Sequence, residues 1–186
     1  MLGISTVVWD CGLVLIDYLV HIVQNKILSL NTCLELGSGT GIVGITCVLL
    51  GADKCLLTDK VITSCMQSNI TILPENIVKK AIVSKFDWAL SEDNPELFNE
   101  TWGTIVCSDV LYDSNLHNYL LGIIKRLSFK IMILCYKRRH DEAEILFFDE
   151  LEKTFAIYLI DMKSFPLINI NELDTEEVYI LHIFPK

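Results

Sequence analysis

Between Leu34 and Ile45 the chain reads LELGSGTGIVGI, four glycines and one acid in twelve residues. Gly37, Gly39 and Gly41 permit a sharp turn and let backbone N–H groups approach a ligand with no side chain in the way. A phosphate-cradling P-loop needs Lys followed by Ser or Thr after the last glycine. Ile42 and Val43 stand there, which removes that reading. A dinucleotide fingerprint does occur, as Gly39, Gly41 and Gly44, with Asp59 at a suitable distance downstream for a ribose. An S-adenosylmethionine loop carries an acid two residues before the first glycine. Glu35 fills that place, where it can accept a hydrogen bond from the amino-acid end of the ligand, directly or through water. Tight packing of a helix on a strand is the purely structural use of the same glycines.

Three further groups stand at the ends of apolar runs. Asp59 closes KCLLTD, and its ionised carboxylate can accept from both hydroxyls of a ribose; it can equally cap the helix that follows. FDW, Phe86 to Trp88, offers an indole to pack on a base and Asp87 or neighbouring backbone to read an exocyclic amine. SDVLY, Ser108 to Tyr112, sets an acid and a phenol three residues apart. Methylases of planar amide or base nitrogens often carry an Asn/Asp-Pro-Pro-aromatic element at this location. The absence of proline here argues against such substrates.

These groups need a frame. TCLEL (Thr32 to Leu36), KCLLTD (Lys54 to Asp59), IVKKAIVSKF (Ile77 to Phe86), TIVCSDVLY (Thr104 to Tyr112) and KIMILCY (Lys130 to Tyr136) read as strands. Helical patterns separate most of them: GIVGITCVLLG ending at Gly51, KVITSCMQSNITIL stopped by Pro74, and NLHNYLLGIIKRL. CGLVLIDYLVHIV precedes the first strand as a mostly buried helix, and HDEAEILFFDELEKTF, with acids in its first turn, follows the fifth. SEDNPELFNET reads as a polar loop. FAIYLID and EEVYILHIF end the chain as two strands with loop alone between them, hence antiparallel neighbours. The expected fold is α/β: a Rossmann-like, doubly wound, seven-stranded sheet, mostly parallel with the last strand antiparallel. Ligands of such sheets bind beyond the carboxyl ends of the strands, where the groups above fall.

Composition narrows the partners. The 186 residues suit one domain, and 52% hydrophobic content with 21% charged suits a large core. No apolar run approaches the ~20 residues of a membrane span. The longest is interrupted by Asp17 and His21, and no basic region precedes it as in a signal peptide. A net charge of −9 repels a phosphate backbone, so nucleic acid is not an expected partner. The one basic run, YKRRH from Tyr136 to His140, reads as a solvated cap or as a contact for an acidic protein. Seven scattered cysteines without a CxxC pair, and dispersed histidines, support no metal site. Reduced thiols in a cytoplasmic, also nuclear, protein are the expectation.

With these motifs in hand, the chain resembles the seven-strand protein-lysine methyltransferases of the methyltransferase-like 21 group. The likeness rests on VVWDCGLVLIDYL, LELGSGTGIVGI, LLTD, FDW, SDVLY, CYKRRHDEAEILFFDEL and TEEVYILHI, and spans nearly the whole chain. The glycine loop is generic to methyltransferases; VVWD before an apolar helix, together with Asp-x-x-Tyr, is more specific. The resemblance implies a class I methyltransferase fold and S-adenosyl-L-methionine as cofactor, leaving S-adenosyl-L-homocysteine as product. It implies cofactor contacts from Trp9, Gly37, Ser38, Gly39, Asp59, Trp88 and Ser108, besides Glu35. Read alone, Trp9 belongs to the core; the likeness reverses that reading. Ser108 stands where relatives commonly carry alanine, so its contact is through backbone or close packing. Asp109 and Tyr112 match the Asp-x-x-Tyr element at the substrate lysine and are the expected catalytic pair. Asp109 would direct the amine, and Tyr112 would supply a ring face and hydroxyl beside the methyl path. The implied partner is a protein, a chaperone or AAA-type ATPase or a translation factor, met by a monomer. Relatives carry a longer section before Trp9, so residues 1–186 are expected to form a single methyltransferase domain lacking part of it. A non-catalytic binding module of the same fold, an NAD-dependent enzyme and a small-molecule methyltransferase stay open as alternatives.

Overall fold

Strand-forming runs apolar at nearly every position need cover on both faces, and the sheet provides it. The computed structural model describes residues 4–167 and 175–186. In chain order it forms α1 (Asp10–Gln24), β1 (Thr32–Leu36), α2 (Ile42–Leu49), β2 (Lys54–Asp59), α3 (Ser64–Thr71), α4 (Glu75–Val78) and β3 (Ala81–Lys85). Then follow α5 (Glu96–Asn99), β4 (Thr101–Ser108), α6 (His117–Arg126), β5 (Ser128–Lys137), α7 (Asp141–Glu152), β6 (Phe155–Ile160) and β7 (Val178–Pro185).

The seven strands make one sheet in the order β3-β2-β1-β4-β5-β7-β6. β7 lies between β5 and β6 and runs antiparallel to both, while the other pairs are parallel. Alternate residues of one strand serve two cores. Val106 of β4 packs with Leu15, Leu19, Val43 and Cys47 on the α1 and α2 side. Ile105 and Cys107 pack with Leu120, Ile124, Phe147 and Leu151 on the α6 and α7 side. At roughly 25 cal/mol per Å² of apolar surface, these two layers are the main source of stability.

The largest differences in strand bounds from the sequence reading fall at β3 and β4. The alternation expected from Ile77 begins as one helical turn, α4, which starts directly after Pro74 at its N-cap. β3 begins only at Ala81. β4 starts at Thr101 and stops at Ser108, because Asp109 takes φ +55° and turns the chain out of the strand. Short-side-chain acids tolerate this left-handed conformation better than other non-glycine residues. The stretch read as polar loop contains α5, whose Leu97 is buried and whose backbone oxygen accepts from Trp102 Nε1.

Candidate active site

The C-terminal ends of β1, β2 and β4 converge on the glycine turn. Gly37 has φ +72°, and a Cβ there would stand 2.9 Å from Val110 Cγ1 and 3.6 Å from Trp88 Cζ2. The indole and the turn after β4 therefore close on a backbone position that only glycine can occupy. A Cβ on Gly39 would meet the backbone of Ser5 at 3.6 Å, so the segment before α1 runs across the loop. Gly44 has a different use. A Cβ there would fall 2.5 Å from Glu35 Oε2 and 2.7 Å from Leu57 Cγ, so this glycine lets α2 pack closely on β1 and β2.

Asp59 binds the loop to the end of β2. Its Oδ2 accepts from Gly39 N at 2.8 Å and its Oδ1 from Val61 N at 3.0 Å. The helix-cap reading does not hold for Asp59: the N-cap of α3 is Thr63, whose hydroxyl accepts from Met66 N. Each carboxylate oxygen keeps lone-pair capacity for a ligand hydroxyl. Trp88 is half-buried, and the Asp87 beside it pairs with Lys60 at 3.0 Å, which holds its carboxyl below the usual range. Trp9 is 44% exposed at the N-cap of α1. A Cβ on Gly12 of that helix would lie 3.8 Å from Ser108 Oγ, so the first turn of α1 stands beside the end of β4.

Glu35 stands under the glycine loop. It is only 1% exposed, and its Oε2 accepts from Gly44 N at 3.0 Å. It supports the loop from beneath. Burial pushes its carboxyl up to about 8, opposed by the Ser38 hydroxyl and Gly44 N–H and reinforced by the Asp59 charge. Ser38 Oγ and Glu35 Oε1 are near enough to influence each other, yet neither has a well-formed hydrogen-bond partner. Both atoms leave buried polar capacity beside the glycine turn.

The raised Glu35 pKa has a stability consequence. The folded chain keeps a proton that the unfolded chain releases near 4.5, so this residue's contribution is fully present below about 4.5. It is lost as pH climbs through about 8. Glu35→Gln removes the titration. Melting curves from pH 5 to pH 8 are expected to show a wild-type Tm that declines more steeply than the variant's, and parallel curves would refute it.

At the end of β4, Asp109 is 7% exposed and Tyr112 is 39% exposed. Burial raises the Tyr112 phenol above its ordinary pKa, and the nearby Asp59 charge adds to this. Val110 and Leu111 are buried anchors of the turn. His117 from α6 holds it further, donating from Nε2 to Leu111 O at 3.1 Å. Asp109 N donates to Cys135 O at 2.8 Å, extending the β4–β5 ladder one step past the strand.

The run YKRRH ends exposed, as a cap would, from Arg138 to His140, and its side chains are engaged with neighbouring groups. Tyr136 is buried, and Arg138 lies over the Tyr179 ring at 4.9 Å. His140 Nε2 donates to Tyr112 O at 3.1 Å. Arg139 forks onto Asp109, Nη1 to Oδ1 at 2.5 Å and Nη2 to Oδ2 at 2.8 Å. Sequence reasoning missed this pair. The signal was available: β4 and β5 are parallel neighbours, so opposite charges just past their ends fall side by side.

The strand order, with a reversed β7 inside the edge, separates this sheet from dinucleotide-binding sheets that end in parallel order. A lysine methyltransferase family model matches residues 1–154. The chain belongs to this family. Mouse protein N-lysine methyltransferase METTL21A is 34% identical over 161 residues, covering 84% of this chain and 71% of that protein. Mouse EEF1A lysine methyltransferase 3 is 30% identical over 128 residues, covering 68% of this chain and 52% of that one. Among solved structures, magnesium protoporphyrin IX methyltransferase from Synechocystis PCC 6803, with bound S-adenosylhomocysteine, superposes with a TM-score of 0.61 at 14% identity. That match covers 95% of this chain and 84% of that one and speaks for the fold alone. At the strand ends a glycine turn after β1, tied to Asp59 of β2, stands beside an acid and a phenol after β4.

Proposed function

We propose that this chain transfers a methyl group from S-adenosylmethionine to a lysine side chain of a protein. The observation that carries the reading is the Asp109–Tyr112 turn set against the glycine cradle, in a chain of the lysine methyltransferase family. Bound S-adenosylmethionine supplies a methyl on a cationic sulfur, open to in-line displacement by an amine. Gly37, Ser38 and Gly39 line the cradle, Asp59 stiffens it and offers acceptors to ribose hydroxyls, and Trp88 covers one side. Trp9 and Ser108 stand at the same edge. Asp109 accepts a hydrogen bond from the lysine amine and sets its direction, while Tyr112 presents its ring and hydroxyl at the surface. Holding reactants in a near-attack geometry can supply on the order of 7 kcal/mol or more of a barrier.

The protein substrate is proposed to be a chaperone, an AAA-type ATPase or a translation factor, and the similarity to EEF1A lysine methyltransferase 3 supports the last. The test is incubation with labelled cofactor and a panel of unmethylated recombinant substrates: a cytosolic heat-shock chaperone, the valosin-containing protein and elongation factor 1A. Label on a lysine of one of them, located by mass spectrometry, is the expected result. A thermal-shift comparison discriminates the rival classes. Stabilisation by S-adenosylhomocysteine and not by NAD supports the proposal; the reverse overturns it, and response to neither points to a binding module.

A further inference from the structure

An unopposed carboxylate is a poor companion for a lysine that must react as a free amine. Free lysine has a pKa near ~10.4, and a neighbouring negative charge favours the ammonium form further. The proposed role of Asp109 therefore conflicts with its charge. The structure holds a group that resolves the conflict. Arg139 engages both Asp109 oxygens in a planar fork, 2.5 and 2.8 Å. The fork uses one lone pair of each oxygen and leaves others for a substrate amine.

The backbone that carries Arg139 is itself held in place. Glu144 of α7 is 3% exposed, and its Oε1 accepts from the backbone N–H groups of Arg139 and His140 at 2.8 and 2.9 Å. This clamp fixes the backbone at the start of α7. The Arg139 side chain is 29% exposed and the Asp109 side chain only 6%, so the pair opens to solvent from the arginine's side. The Asp109 charge raises the Arg139 pKa further. Other titratable groups face the pair. Tyr112 lies on its outer side, with Asp59, Asp113 and Lys60 acting on that phenol. Cys135 from β5 and Cys11 from α1 lie beneath, and both stay within the core. His140 reaches the Tyr112 carbonyl from the neighbouring position. None of these couples to the Asp109 carboxylate by two hydrogen bonds as Arg139 does.

We propose that Arg139 is a positioning residue for methyl transfer: its fork fixes the Asp109 carboxylate and cancels its charge, so that Asp109 directs the lysine amine without holding it as ammonium. The inference rests on the lysine methyltransferase reading and deepens it at the same site. Removing the positive charge leaves Asp109 to stabilise the ammonium. The substrate pKa in the complex then rises, and the acidic limb of kcat moves to higher pH.

The experiment measures kcat and KM against pH, at saturating S-adenosylmethionine, with the substrate panel described above. Arg139→Gln is expected to move the acidic limb up by about one pH unit or more, with kcat falling at neutral pH and KM for the protein substrate holding or falling. Arg139→Lys keeps the charge without the fork, so its limb stays near wild type while kcat declines. Arg139→Met, a second neutral variant of similar length, is expected to shift the limb as Arg139→Gln does and covers the case in which Arg139→Gln does not fold. An acidic limb for Arg139→Gln that stays at the wild-type position, with only a uniform loss of rate, makes Arg139 merely structural and overturns the inference alone. A wild-type chain that labels no member of the panel overturns the functional reading together with it.

Discussion

Asp109→Ala is expected to reduce methyl transfer by at least about a hundredfold, because a misplaced reacting group alone can cost that much. S-adenosylhomocysteine affinity is expected to stay nearly intact, since Asp109 sits at the turn after β4 and makes no hydrogen bond to the glycine loop. Two structural costs accompany the change. Alanine at φ +55° carries strain of roughly 1–2 kcal/mol. Breaking a buried pair can cost about 3–5 kcal/mol, though water reaches Arg139, which is 29% exposed, and lessens that figure. Asp109→Asn keeps a side chain that tolerates the left-handed backbone and is the companion variant. Calorimetry with S-adenosylhomocysteine and a labelled-methyl assay separate the effects. Retained transfer in both variants would remove Asp109 from the reaction.

Asp59→Ala acts on the other half of the site. Two N–H···carboxylate bonds, from Gly39 and Val61, are lost together. Hydrogen bonds to a charged group contribute about 1.5–3 kcal/mol each. Part of that loss appears as a looser loop before any ligand arrives, and the proposed ribose contacts go with it. An affinity loss of roughly a hundredfold for S-adenosylhomocysteine, about 2.8 kcal/mol, is the expected calorimetric result. If Asp59→Ala and Asp109→Ala lose binding equally, the division of labour between β2 and β4 is wrong.

Much of the frame was legible because it depends on local pattern. Thr32–Leu36 and Lys54–Asp59 are strands with the bounds read from sequence, since each is a short apolar run between turn residues. The reversed final strand followed from two strands with no helix between them, and β7 lies antiparallel to both its neighbours. Errors arose where the chain departs from a local pattern. The beginning of an alternating run forms α4 directly after Pro74, and the left-handed Asp109 ends β4 four residues before the apolar run does.

The sequence by itself determined the order of the seven strands along the chain and of the five longer helices, the family likeness, and the position of the glycine turn, Asp59, Asp109 and Tyr112. These are properties of spacing and residue type, which the linear chain carries in full. Tertiary structure alone decided how the charges are shared. Glu35 went beneath the loop, where burial keeps its proton, and Asp59 took the loop's N–H groups. Arg139, thirty residues from Asp109, became its closest counter-charge. The physical reason is that hydrogen bonding and desolvation act over a few ångströms in space, and parallel pairing of β4 with β5 brings together groups that the chain keeps far apart.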